Sequence, residues 1–291
     1  MYLILMQRCD RLGSNILYYI SQIIYAMRFK IYINYDINFL KYADSLYIKC
    51  LLDYINIYNS KNQEYMFKSW FEIFEMHSGD LCYCFSKNVL HFKSDTLTLF
   101  EELVNNSFFI NLFGETFHEH FLKKCKEKNY ELVYDPKNTI VVHVRLDDLQ
   151  DAPTNIDCSI CADNFRKNIE EDIICTFDPK GPANAQFPID NSVIIQQIEK
   201  ALEKYPGREI LIITSPISDP KLPYKCIKNE DIDYDLFLLS CAEVLIMSRS
   251  NYAFVSLLFG NQKEVYMPLW GHTVALGYST KYDKKEFNYF S

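Results

Sequence analysis

Residues 243–268 read EVLIMSRSNYAFVSLLFGNQKEVYMP. An apolar run of strand length, EVLIMS, gives way to a polar turn, Arg249 and Ser250. A helix-length segment follows from Asn251 to Phe259, then a Gly260-Asn261 stop, and then a second apolar run, EVYMP. Strand, helix, strand with both strands nearly continuous in apolar character is the pattern of a parallel sheet covered on both faces. Working upstream, the same alternation continues. A short helix is expected from Leu236 to Cys241, a strand in EILIITS (209–215), a stop at Pro206-Gly207, and a helix from Ser192 to Lys204. Further back, TIVVHVRL (139–146) is an apolar strand whose last residues turn polar, as where a buried strand reaches a cleft. The fold class that follows is α/β, with ligands expected outside the carboxyl ends of the strands. Three polar stretches fall at such ends: Arg145, Ser215, and Ser248 to Asn251.

The opening of the chain carries a second signal of the same kind. MYLILM is a candidate buried strand, QRCDRLGSN (7–15) a polar turn, and Ile16, Leu17, Ile20, Ile23, Ile24 and Met27 recur at helical spacing before the strand FKIYIN (29–34). The turn is expected to aim the amides of Gly13, Ser14 and Asn15 above the strand end. Residues 37–130 are aromatic and mainly helical in pattern. Residues 147–190, with five prolines and glycines punctuating them, read as a long loop of functional type.

Composition narrows the function. With 30 Lys and Arg against 38 Asp and Glu the formal charge is -8, so there is no global field for nucleic acid or an anionic membrane surface. A few placed cations still suffice for a diphosphate. The 10 cysteines have no disulfide-framework spacing and are expected to be reduced. Cys158 and Cys161 form a CxxC pair with no second pair of ligand spacing, so no metal site is assigned. No segment reaches the roughly 20 apolar residues of a membrane span, and MYLILM is too short for a signal-peptide core. These features lead to an expectation of a soluble, cytoplasmic chain.

Within HVRLDD (143–148), an arginine at a strand mouth can make paired hydrogen bonds to diphosphate oxygens, with His143 two residues earlier on the same face. The alternative is that Arg145 pairs with Asp147 or Asp148 while His143 is a core histidine. In SRSNYAFVSLLFG (248–260), Ser250, Asn251 and Tyr252 sit at a helix N-terminus that suits an anion, or Ser250 is simply the helix cap. In TSPISDPKL (214–222), Ser215, Ser218 and Asp219 suit ribose hydroxyls or base edges, or form a β-turn.

In order and spacing these blocks resemble the alpha-1,2-fucosyltransferases and their alpha-1,6- and protein O-fucosyltransferase relatives. DRLGSNILYYISQIIYAM is similar to the family's glycine turn and first helix, and HVRLDD to its H-x-R-x-x-D motif. LIITSPISDP is similar to its strand ending in S-D-D, and LLSCAEVLIMSRSNYAFVSLLFG to its closing S-x-S block. Ser14 replaces the family's asparagine, S-D-D becomes S-x-x-S-D, and Tyr252 is followed by Ala253. The resemblance implies a GT-B-type arrangement of two facing Rossmann-like lobes with parallel sheets, an acceptor-side lobe at 1–135 and a nucleotide-sugar lobe at 136–291. It implies inverting transfer of fucose from GDP-fucose to a glycan hydroxyl, alpha-1,2 linkage foremost, with no obligatory metal or cofactor. Arg145 and His143 would hold the diphosphate, Ser250, Asn251 and Tyr252 would cap it, Ser215 and Asp219 would lie near the nucleoside, and Gly13 and Asn15 would face the cleft. Asp148 is the preferred base, with Asp147 and Asp10 as alternatives. Another nucleotide-sugar donor, or a non-catalytic glycan or nucleotide binder, remains open from the sequence.

Overall fold

The computed structural model describes residues 2–5, 7, 11–28, 30–63, 114–146, 188–268 and 285–290. The chain divides into two compact units, Met1–Lys128 and Asn129–Ser291.

In the first unit, strand β1 (Tyr2–Ile4) and strand β2 (Tyr32–Asn34) pair in parallel, with helix α1 (Leu12–Arg28) between them. This is the β-turn-α-β unit expected from the opening pattern. Ile16, Ile20 and Ile23 on α1 are fully buried, as the helical spacing requires; each such side chain contributes roughly 2 kcal/mol on leaving water. Helix α2 (Leu46–Lys61) covers the pair, and a short 3-10 turn (Ile37–Phe39) precedes it. On α2 the side-chain amide of buried Asn59 accepts from the Ile33 amide at 3.0 Å and donates to the Ile33 carbonyl at 2.6 Å. A two-stranded sheet leaves backbone groups of β2 without a strand neighbour, and Asn59 supplies both halves of the missing pairing. Helix α3 (Phe117–Glu127) starts in a capping box. The Thr116 hydroxyl accepts from the Glu119 amide at 3.1 Å, and the Glu119 carboxylate accepts from the Thr116 amide at 2.7 Å.

The second unit is built on six strands: β3 (Thr139–His143), β4 (Glu209–Thr214), β5 (Lys225–Lys228), β6 (Val244–Ile246), β7 (Glu264–Pro268) and β8 (Glu286–Phe290). All pair in parallel in the spatial order β5-β4-β3-β6-β7-β8. Numbered from β3, that is 3-2-1-4-5-6, the order of the doubly wound Rossmann-like sheets, in which the winding direction reverses between the first and fourth strands. Here the reversal lies between β3 and β6. Helix α4 (Asn191–Lys204) packs Ile194, Ile198 and Ala201 on Ile140, Val142, Ile210, Ile212, Val244 and Ile246. The alternate residues Val141, Leu211, Ile213, Leu245 and Val265 are also buried, so the sheet's second face is covered too. Helices α5 (Ile232–Cys241) and α6 (Asn251–Phe259) pack on one another.

The reading of α4, α6 and β7 matches these bounds within a residue. Helix α5 begins four residues before Leu236, because Asp231 caps it by accepting from the amides of Asp233 and Tyr234. Strand β3 stops at His143 instead of running on to Leu146. Strands β5 and β8 had no sequence signal. KCIK is largely exposed at one edge, and EFNYF is only partly buried at the other, so neither shows the apolar run of the central strands. Among the described residues no helix is long and apolar enough to cross a membrane.

Candidate functional site at the winding reversal

Because β3 and β6 are neighbours and parallel, the segments that leave their carboxyl ends lie side by side. His143 closes β3 and is 8% exposed, and its Nδ1 lies 2.6 Å from the Ser248 hydroxyl, in the loop after β6. That bond spans the reversal point and holds the imidazole by one nitrogen, so Nε2 is the ring's other point of contact. The ring also faces Tyr252 on α6, with centroids 6.0 Å apart and planes inclined by 36°. Across β3, the Thr214 hydroxyl at the end of β4 donates to the Val144 carbonyl at 2.7 Å. The backbone just past His143 is thereby tied to its neighbour strand. Arg145, two residues past His143, is partly exposed.

Helix α6 begins at this edge. Ser250 is buried and caps it, its hydroxyl accepting from the Tyr252 amide at 3.2 Å. The cap reading of Ser250 therefore holds, and Ser250 and Tyr252 close on one another within the first turn. The Tyr252 hydroxyl donates to the Ile232 carbonyl at the start of α5. Burial foremost, and then the charges of Asp235, Asp233 and Asp231, hold that hydroxyl well above its ordinary pKa, so it keeps the proton that it donates. Tyr252 is thus a tie between the two helix starts and a wall beside His143, where the sequence reading made it a phosphate cap. Asn251 is buried at the first position of α6.

The remaining expected residues fall as follows. Ser215 and Ser218 share a hydroxyl contact of 2.9 Å, and the Ser218 amide donates to the Ser215 carbonyl at 3.1 Å. That is a turn after β4, with Ser218 fully buried and Asp219 exposed. Gly13 and Asn15 lie inside the first turn of α1. Asn15 is fully buried, and both its backbone amide and its side-chain amide donate to the Arg11 carbonyl at 3.1 Å. Its amide belongs to the helix's own ladder, which corrects the expectation that it points outward above the strand end. Asp10, Asp147, Asp148, Cys158 and Cys161 lie outside the described residues.

Two residues at this edge carried no weight in the sequence. Arg249 lies between Ser248 and Ser250, in the segment that leaves β6, and is only 5% exposed. A charged residue between two serines, just after a buried strand, was the available signal. Asp235, in the first turn of α5, is buried and accepts from the Asn229 side-chain amide at 2.5 Å. Burial raises its pKa to about 7, the Asn229 bond opposes the shift, and the charge of Asp231 adds to it. Nothing in the sequence distinguishes Asp235 from Asp231, since only packing buries Asp233 and Asp235 and leaves Asp231 exposed. Among the described residues no group of three or more His, Cys, Asp or Glu side chains is placed to hold a metal ion.

No family model, no curated protein and no solved structure matches the chain.

Proposed function

We propose that the chain is an inverting glycosyltransferase that binds the diphosphate of a nucleotide sugar at the winding reversal of its six-stranded sheet, with GDP-fucose as the first candidate donor. The observation that carries this reading is the His143–Ser248 bond joining the ends of β3 and β6. In open parallel sheets the crevice at such a reversal is where nucleotides bind. Here it is flanked by Arg145, Arg249 and the amino end of α6, all suited to an anion. The sequence blocks that resemble the fucosyltransferases supply the donor and the reaction class. The two-lobed GT-B arrangement belongs to the same proposal.

In the reaction, an acceptor hydroxyl attacks the anomeric carbon as the bond from that carbon to the diphosphate oxygen breaks. The hydroxyl proton passes to a carboxylate, Asp148 or Asp147. Arg145 stabilises the negative charge that collects on the leaving nucleoside diphosphate. His143, held through Nδ1, presents Nε2 to the same group. Ser215 and Asp219, in the turn after β4, contact the nucleoside.

Thermal unfolding of the wild type and Arg145→Ala with GDP, GDP-fucose, UDP and ADP tests the proposal. A ligand bound only by the native state stabilises it by about 2.7 kcal/mol at 100 times its dissociation constant. Stabilisation by the guanine compounds, lost in Arg145→Ala, supports the donor assignment. A response to UDP alone moves the donor to a uridine sugar, and no response to any nucleotide overturns the proposal. Nucleotide binding with no transfer across a broad set of glycan acceptors favours a non-catalytic binder.

A further inference from the structure

In the first unit a set of charged side chains joins α2 to α3. His120, in the first turns of α3, places Nδ1 3.0 Å from Oε1 of Glu115 and Nε2 3.0 Å from Oδ2 of Asp53 on α2. Lys124, one turn further along α3, sets its ammonium 2.7 Å from the same Asp53 oxygen. Ionised carboxylates only accept hydrogen bonds, and a neutral imidazole carries a single N–H. Both ring contacts are hydrogen bonds only when His120 is an imidazolium.

We propose that His120 is a pH-sensitive latch. As the imidazolium it ties Glu115, at the entry to α3, to Asp53 on α2, and on losing its proton it releases one of the two carboxylates. The charged groups facing it among the described residues are Asp53 from α2, and Glu115 and Lys124 from α3 and its approach. Two anions outweigh one cation, and that cation is already engaged by Asp53. The bond to Asp53 is the largest cause raising the His120 pKa, burial opposes it, and the bond to Glu115 adds to the rise. The latch is therefore closed below the ordinary histidine value of about 6.5 and opens as pH rises through the higher folded value. Opening is local. Phe117 and Phe121 keep α3 on α2 through Tyr47, at ring separations of 5.0 and 5.3 Å that no proton affects. What loosens is the polar side of the contact, beside the capping box at Thr116.

The experiment follows the imidazole nitrogens of the full chain by NMR against pH, with His120 assigned through His120→Gln. The expected result is two protonated ring nitrogens at neutral pH and a midpoint above the ordinary histidine value, moved down by Glu115→Gln. Amide exchange in the first turn of α3, corrected for its intrinsic pH dependence, should rise through the same midpoint in the wild type and not in His120→Gln. Should His120→Gln fail to fold, Glu115→Gln, which keeps an acceptor and leaves the Asp53–Lys124 pair, gives the assignment and the comparison. A midpoint at or below the ordinary value, a midpoint indifferent to Glu115→Gln, or wild-type exchange that is flat through the midpoint would each overturn the latch.

Discussion

The two edges of the six-stranded sheet are built from opposite chemistry. At the amino edge, carboxylates meet cations and hydroxyls that satisfy them. Glu264, the first residue of β7, is 1% exposed and accepts from Tyr205 at 2.5 Å, Lys204 at 2.8 Å and Asn288 at 2.8 Å. Glu243 bonds Arg208 at 3.2 Å and Lys263 at 3.3 Å. Lys285, half-buried beneath the end of α6, donates to the carbonyls of Gly260 and Gln262 at 2.6 and 3.2 Å, and burial lowers its pKa to about 8. At the carboxyl ends of the central strands stand His143, bonded to Ser248, and the Ser250 cap of α6, with Arg145 and Arg249 in the segments that leave β3 and β6. The first edge holds strands together through charges paired within the protein; the second is the edge to which the proposed diphosphate site is assigned. The acids of the carboxyl edge, Asp231, Asp233 and Asp235, follow the outer strand β5, and Tyr252 stands between them and His143.

Substitutions can break this contrast, and the largest effect is expected at the amino edge. Glu264→Ala takes the acceptor from the half-buried Tyr205 and Asn288, while exposed Lys204 keeps Glu286, and should cost about 3 kcal/mol in urea unfolding; a loss below about 1 kcal/mol would show that the cluster is not a stability element. Ser248→Ala removes the tie on His143 and should cost about 1–2 kcal/mol. In contrast to Glu264→Ala, it should also weaken the nucleotide response, so an unchanged response would detach that hydrogen bond from binding. Ser250→Ala removes the α6 cap and should cost about 1 kcal/mol, read from the same unfolding curves.

The acids after β5 sharpen the contrast further. An Asp235 pKa raised to about 7 in the folded state means that the folded form retains a proton that the unfolded chain has already released. Its contribution is favourable in acid and is lost as pH rises through about 7. Asp235→Asn should therefore gain stability relative to wild type between about pH 4 and 7, and a wild-type-minus-variant difference that stays flat over that range would refute the buried, protonated carboxylate.

The legibility of the fold followed burial. Where both faces of a strand are covered, as in β3, β4, β6 and β7, the residues between the strand ends are apolar and the run is visible in one dimension. Where a strand lies at an edge, as with Lys225–Lys228, its residues are those of a surface loop and only pairing with β4 makes it a strand. Helix α3 falls in the stretch 37–130 that reads as mainly helical; TFHE (116–119) is a capping-box sequence, but the aromatic background around it blurred the helix bounds. At the site, His143 and Ser250 were legible because they sit where an apolar run ends. The Ser248 partner of His143 was not, since the two are 105 residues apart.

By itself the sequence determined the local alternation of strand and helix, the carboxyl-end positions of Arg145, Ser215 and Ser248–Asn251, and the net negative charge, because periodicity and composition are properties of the chain read in one dimension. The tertiary structure alone decided the strand order with its reversal between β3 and β6, the burial of Arg249 and Asp235, the turning of Tyr252 to Ile232, and the inward commitment of Asn15. Each of these depends on which distant segment packs against which, and the free energy that selects among packings comes from contacts that no local pattern encodes.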